Sequence, residues 1–142
     1  MDRVLVAAAI VVVAVLVAVV ARRRRRSDAP TQPLGRVPSQ LDRADFARPE
    51  APWLVAVFTS ATCSTCADVV RKAQVLASED VAVTDVEWQT GRSIHDRYAI
   101  DAVPLLLIAD AEGVVRRSFA GPVSATDLWA AVAEAREPDA PS

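Results

Sequence analysis

The sequence predicts an α/β fold: a mixed four- to five-stranded sheet flanked by helices, preceded by one N-terminal transmembrane helix. An uncharged apolar run occupies residues 4–21. Between residues 53 and 136, short apolar runs of strand length alternate with helical patterns and turn residues. The predicted order is helix, strand, helix, strand, helix, strand, strand, helix. This order combines a βαβ half with a ββα half, which requires a mixed sheet covered by helices.

The N-terminal run has the length of a membrane span. Residues 4–21 contain no polar side chain, and at ~1.5 Å per residue they would cover about 27 Å as a helix. Five arginines follow at 22–26, where a cleaved signal peptide would have small residues. We therefore predict a single-pass anchor at 1–26 that contacts the lipid bilayer of the cell membrane through residues 4–21. The positive-inside rule places the following domain in the cytoplasm, with an extracytoplasmic domain as the alternative.

Composition sets the remaining boundaries. Residues 27–38 contain prolines, a glycine and small polar residues, which predicts a flexible linker. A domain at 39–136 follows, long enough for one core, and residues 137–142 are predicted to be a disordered tail.

The charges are distributed unevenly along the chain. Six of the sixteen basic residues precede Ser27, whereas seventeen of the eighteen acidic residues follow it. A domain this acidic is a poor nucleic-acid binder, so no nucleic-acid partner is expected.

The first elements of the domain surround its two cysteines. A capping-box pattern at 39–42 predicts a short helix. Residues 53–58 form a nearly continuous apolar run, typical of a strand buried on both faces. A helix is then predicted to start at the cysteines, because apolar residues recur at helical spacing: Cys66, Val69, Ala73 and Leu76.

Turn and cap signals delimit the later elements. Glu112-Gly113 is a turn signal between two apolar runs, which predicts a hairpin. The sequence SATD at 124–127 is a capping box that opens the last helix. The predicted elements are a strand at 81–88, a short helix at 94–99, strands at 104–110 and 114–120, and the final helix from 124.

The two cysteines form a Cys63-Ser-Thr-Cys66 motif at the predicted strand-to-helix junction. A helix N-terminus favours a thiolate, so Cys63 would be the nucleophile, and Cys66, one turn later and more buried, would act second. Three interpretations remain open for the pair: redox-active cysteines, a metal pair, or inert core residues. Two cysteines and one histidine are too few for a four-ligand zinc site, and we expect no resident metal and no cofactor.

Downstream motifs resemble the thioredoxin family over residues 53–133. They are Tyr98-Ala99-Ile100, Val103-Pro104 before an apolar strand, a Glu-Gly hairpin, and Phe119-Ala120-Gly121. The resemblance implies thiol–disulfide oxidoreductase activity on protein thiols and disulfides. It also implies an upstream redox partner. It implies catalytic roles for Cys63 and Cys66 and a cis bond before Pro104. It also implies that the substrate chain contacts Val103, Pro104, Gly121 and Thr62.

The sequence departs from that family around the motif. Thr62 replaces the usual tryptophan, Ser64 and Thr65 replace Gly-Pro, and Val57 stands where thioredoxins bury an acid. No histidine or carboxylate nearby in sequence replaces that acid. We therefore predict that Cys66 resolves mixed disulfides more slowly than in a general thioredoxin.

Two alternative functions remain. The motif also resembles the copper site of small metal-chaperone domains, which have a different strand order and need no proline before a later strand. A redox-inert adaptor with the same fold is the other alternative. The single histidine, His95, is predicted to be a surface residue, since it lies between an isoleucine and an acid on a short helix.

Overall fold

The computed structural model describes residues 1–26 and 36–137, which belong to two separate compact units. Most of the predicted linker at 27–38 and of the predicted tail at 137–142 lies outside the described residues. The first unit contains a single helix, α1 (Asp2–Arg26), which continues through the arginine cluster. By length and composition its segment Asp2–Val19 could cross a membrane.

The second unit contains four strands and three helices within residues 36–137. The strands are β1 (Trp53–Thr59), β2 (Val81–Glu87), β3 (Leu105–Ala109) and β4 (Val115–Ala120). The helices are α2 (Cys66–Gln74), α3 (Arg92–Arg97) and α4 (Ala125–Arg136), and a 3-10 turn lies at Arg43–Asp45. Each predicted strand is present, with ends that differ from the prediction by at most one residue.

The strands form one mixed sheet in the order β2-β1-β3-β4. β1 pairs parallel with β2 and antiparallel with β3, and β4 pairs antiparallel with β3. The two interior strands are almost wholly buried, as their continuous apolar sequences predict. β2 and β4 are the edge strands and carry the charged residues of the sheet.

Alternate residues of the interior strands face two apolar clusters. On one face, Leu54, Ala56 and Phe58 pack with Leu41, Phe46 and Leu107. On the other face, Val55 and Val57 pack with Leu106 and Ile108 of β3 and with residues of α2 and α4. The cysteine-bearing helix α2 therefore lies on the Val57 face of the sheet.

The short helix predicted after the 39–42 capping box is present only as the 3-10 turn Arg43–Asp45, and its N-cap is Asp42 instead of Ser39. Gln40 forms an isolated antiparallel bridge with Val114, so this segment runs as extended chain beside the β3–β4 hairpin. The Asp42 carboxylate instead accepts a hydrogen bond from the Ala44 N–H at the start of the 3-10 turn. Long-range pairing with the hairpin thus overrides a local capping pattern.

Two turns explain the ends of later elements. Ala99 has a left-handed backbone (φ 52°), and the Ile100 N–H donates to the His95 carbonyl, so α3 ends earlier than predicted. Gly113 (φ 80°) makes the β3–β4 turn, where a Cβ would collide with the Leu41 carbonyl. The capping box before α4 is confirmed, because the Ser124 hydroxyl accepts from the Asp127 N–H.

Candidate functional site

The two cysteines lie at the junction between β1 and α2 and form a disulfide with Cα atoms 5.5 Å apart. α2 begins at Cys66, so the prediction that the helix starts at the first cysteine is wrong by one turn. Cys63 lies in the preceding turn, where its N–H donates to the Ser60 carbonyl at 3.1 Å. Cys66 is 3% exposed, and Cys63 is partly exposed, which is the predicted order of accessibility.

Two hydrogen bonds fix the cysteine loop to the loop after β2. The Trp88 N–H donates to the Thr59 carbonyl at 2.8 Å. The Ala61 N–H donates to Oε1 of Gln89 at 3.1 Å. Within the loop, the hydroxyls of Ser60 and Thr62 are 3.1 Å apart. The chain that leads into the disulfide is therefore held against the loop after β2.

The helix N-terminus beside the disulfide has limited capping. Thr65 is the N-cap residue of α2, but its side chain caps no backbone N–H, and its hydroxyl lies 3.8 Å from Cys63 Sγ. Asp68 in the first turn pairs with Lys72 at 2.5 Å and with Arg71. The hydrogen bond from Lys72 is the main cause of a lowered Asp68 pKa. The Asp68 carboxylate thus forms ion pairs with two cations of its own helix, α2.

The residues implied to bind substrate lie at the same end of the sheet as the disulfide. Phe58, near the C-terminal end of β1, pairs with Leu105 at the start of β3. The Val103-Pro104 peptide bond directly before β3 is cis, as the resemblance implies. Gly121 has a positive φ (83°), and its N–H donates to the Pro104 carbonyl at 2.8 Å.

A cavity of about 440 Å³ lies between the cysteine loop and the proline loop. Thr62 and Val103 both line it, together with Trp88, His95 and Ile100. The structure therefore brings Thr62 and Val103 to one surface, with an aromatic and apolar lining.

The prediction that His95 is a surface residue is wrong, because it is 1% exposed. Its Nε2 lies 2.7 Å from the Val86 carbonyl, and its ring makes edge contacts with Phe58 and Trp88. The short helix α3 turns this residue inward, although the acid Asp96 follows it directly. Nδ1 has no hydrogen-bond partner among the described residues.

A second cavity, of about 410 Å³, contains the disulfide itself. Both cysteines line it, along with Thr59 of β1, Arg71 of α2, and two acidic residues of β2, Asp85 and Glu87. The Thr59 hydroxyl donates to Asp85 Oδ1 at 2.6 Å. Carboxylates distant in sequence therefore share a cavity with the dithiol.

Sequence reasoning did not identify these acidic residues. The alternation in β2 places Asp85 and Glu87 on one face, but only the strand register shows which face this is. In that register Asp85 is opposite Val57 and Glu87 is opposite Thr59. A local search around the motif cannot find a residue that reaches the site from a neighbouring strand.

No family model and no curated protein matches the chain. Solved thioredoxin structures do match it. A mutant thioredoxin from Halobacterium salinarum aligns with a TM-score of 0.53 and 21% identity, covering 61% of this chain and 75% of the other. Thioredoxin 1 from Thermosipho africanus aligns with a TM-score of 0.53 and 20% identity, covering 60% of this chain and 96% of the other. Fasciola hepatica thioredoxin aligns with a TM-score of 0.51 and 21% identity, covering 59% of this chain and 81% of the other.

These similarities confirm a thioredoxin-like fold for the second unit. At such low identity they concern the fold alone. Together with the disulfide between Cys63 and Cys66, the fold supports a redox role.

Proposed function

We propose that this protein is a membrane-tethered thiol–disulfide oxidoreductase that reduces or exchanges disulfides in protein substrates. The observation that carries the proposal is the disulfide between a partly exposed Cys63 and a buried Cys66. The Cys63 sulfur is accessible to a large substrate, whereas the buried Cys66 sulfur reacts only in the second step. Such asymmetry suits exchange through a mixed disulfide.

Reduction of a substrate begins from the dithiol form. The Cys63 thiolate attacks a substrate disulfide, forming a mixed disulfide and expelling one substrate thiolate. The Cys66 thiolate then attacks the Cys63 sulfur, and the second substrate sulfur leaves with the bonding electron pair and takes a proton from water. The resulting Cys63–Cys66 disulfide needs two electrons and two protons from an upstream dithiol partner before another turnover.

The substrate chain would lie along the proline loop. We assign the contacts to Val103, Pro104, Gly121 and Thr62, because they occupy the end of the sheet that carries the disulfide. The Gly121 to Pro104 hydrogen bond joins two of the three segments involved. The 440 Å³ cavity beside Thr62 and Val103 offers room for a substrate side chain.

The tether is helix α1, which would span the cell membrane once through residues 4–21. The arginines at 22–26 favour a cytoplasmic domain by the positive-inside rule. Fusion of a reporter that is active only outside the cytoplasm, placed after Ser142, tests this orientation. An active reporter would establish the extracytoplasmic alternative.

The activity is tested with the full-length chain in detergent micelles, using insulin as the disulfide substrate. We expect the wild type to reduce insulin in the presence of dithiothreitol and Cys63→Ser to have no activity above background. When the reduced Cys66→Ser variant is mixed with insulin in the absence of dithiothreitol, it should accumulate mixed disulfides visible on non-reducing gels. Ser64→Ala is the matched control, since it alters the same turn but keeps both thiols.

The two alternatives have distinct outcomes in these assays. A copper-binding module would bind Cu(I) stoichiometrically through both cysteines and would not exchange disulfides. A redox-inert adaptor would leave insulin intact even after complete reduction of its own disulfide. Either result would exclude the oxidoreductase. The sheet order and the proline before β3 favour the oxidoreductase over a copper module.

A further inference from the structure

The buried Cys66 has a chemical requirement that its immediate surroundings do not meet. Its thiol must lose a proton before it can attack, and burial in apolar surroundings disfavours the thiolate. Val57, on the same face of the sheet as α2, has no proton-accepting group. Any side chain that accepts the Cys66 proton must therefore come from elsewhere in the cavity that contains the disulfide.

The cavity has five titratable or charged groups among its lining residues. The two cysteines come from the cysteine loop and α2, Arg71 from α2, and Asp85 and Glu87 from β2. β1 contributes only the uncharged Thr59. Arg71 pairs with Asp68 and, as a guanidinium, cannot accept a proton. Among the charged side chains that line the cavity, only the two β2 carboxylates can accept a proton.

Two observations favour Asp85 over Glu87. Asp85 is the direct neighbour of Val57 in the parallel register, on the strand beside β1. Its Oδ1 also accepts a hydrogen bond from the Thr59 hydroxyl, and Thr59 is only 4% exposed. Asp85 is itself an exposed residue, so this buried donor orients Oδ1 at the mouth of the cavity and leaves Oδ2 open to water.

We propose that Asp85, oriented by Thr59, accepts the proton of the Cys66 thiol through water in the shared cavity. The proposal rests on the oxidoreductase function described above. In the resolving step the proton passes from Cys66 to Asp85 while the Cys66 sulfur attacks Cys63. The bond between Cys63 and the substrate sulfur breaks, and the substrate leaves as a thiolate. Asp85 then returns its proton to solvent, so it is unchanged after each turnover.

The experiment uses the full-length reduced protein in detergent, mixed rapidly with Ellman's reagent. Attack by Cys63 releases a first thionitrobenzoate, and resolution by Cys66 releases a second, so each trace reports both steps. The first phase is an internal control for folding and for Cys63 reactivity. The second phase is followed as a function of pH.

We expect Asp85→Asn to slow the second phase at neutral pH by about tenfold or more, a modest share of the 10²–10⁴-fold typical of a positioned base. Its rate should rise with pH as the Cys66 thiol ionises and should approach the wild-type rate in alkali. Asp85→Glu should restore part of the neutral-pH rate. The matched control Glu87→Gln removes the same charge from the same cavity and should change the rate less than about twofold.

The outcomes separate the two levels of the proposal. A wild type that never releases the second thionitrobenzoate and does not reduce insulin would refute the oxidoreductase function. An active wild type with an unchanged Asp85→Asn rate and pH profile would refute only the role of Asp85, as would equal slowing by Glu87→Gln. If Asp85→Asn does not fold, Thr59→Val tests the same arrangement, and an unaltered second phase in that variant would refute it.

Discussion

Val57→Asp would restore a buried acid beside the dithiol, and the structure predicts that it is strongly destabilising. Val57 is 0% exposed and packs in the apolar cluster between the sheet and α2. Its neighbour in the β1–β2 register is Asp85. An introduced carboxylate would lose its hydration and would also face a like charge, so both effects raise its pKa.

The magnitude follows from that raised pKa. A fully buried carboxyl shifts by up to 3–5 units, and each unit corresponds to about 1.36 kcal/mol. Between the unfolded pKa near 4 and the higher folded pKa, the folded state binds more protons, so stability falls as pH rises. We expect a loss of about 3 kcal/mol between pH 5 and pH 7, in addition to a pH-independent cost of about 1–3 kcal/mol for the buried polar group.

Urea unfolding of the full-length variant at pH 5, 6 and 7 measures this dependence. Val57→Asn is the control, because it introduces a similar polar group that does not titrate. Adding Asp85→Asn to Val57→Asp should recover about 1 kcal/mol at pH 7 by removing the like charge. A pH-independent stability difference between Val57→Asp and Val57→Asn would refute the reasoning.

Three further predictions concern stability and are measured by urea unfolding. Burial raises the Asp110 pKa, but hydrogen bonds from the Val114 N–H and Arg116 outweigh it, so the pKa is lowered. Asp110→Asn should therefore cost about 1–2 kcal/mol at pH 7, a difference that disappears as the pH falls below about 4; a constant difference would contradict this. Gly113→Ala should cost about 2–3 kcal/mol, because of its positive φ and the Leu41 carbonyl, and a neutral result would contradict this. Ala99→Gly should stabilise by about 0.5–1 kcal/mol, since Ala99 is exposed and left-handed, whereas no gain would argue against strain there.

The sheet could be predicted from sequence because its signals are local. Residues 53–58 and 104–110 are continuous apolar runs, which are required in strands buried on both faces, and Gly113 marks the only turn short enough for a hairpin between two predicted strands. The cap at Ser124 acts within four residues and was predicted for the same reason. Local signals of this kind also placed the two cysteines at the end of β1.

The features that the sequence did not predict depend on contacts between residues that are distant along the chain. Three of the four strands lie between Gln40 and Val114 in the sequence, so a local capping pattern could not reveal the bridge that joins these residues. His95 is buried because its ring packs against Phe58 and Trp88, and these contacts between distant residues cannot be predicted from the six residues of α3. Asp85 reaches the dithiol cavity through the β1–β2 register, which no single segment specifies.

The position of β2 at the edge of the sheet gives its acidic residues a second consequence. An edge strand presents unpaired backbone groups that can pair with another chain, and charged side chains oppose such pairing. Asp85 and Glu87 carry negative charge along this edge, and Arg116 and Arg117 carry positive charge on β4 at the other. The carboxylates that line the dithiol cavity therefore also oppose pairing of β2 with the β2 strand of a second copy, through like-charge repulsion.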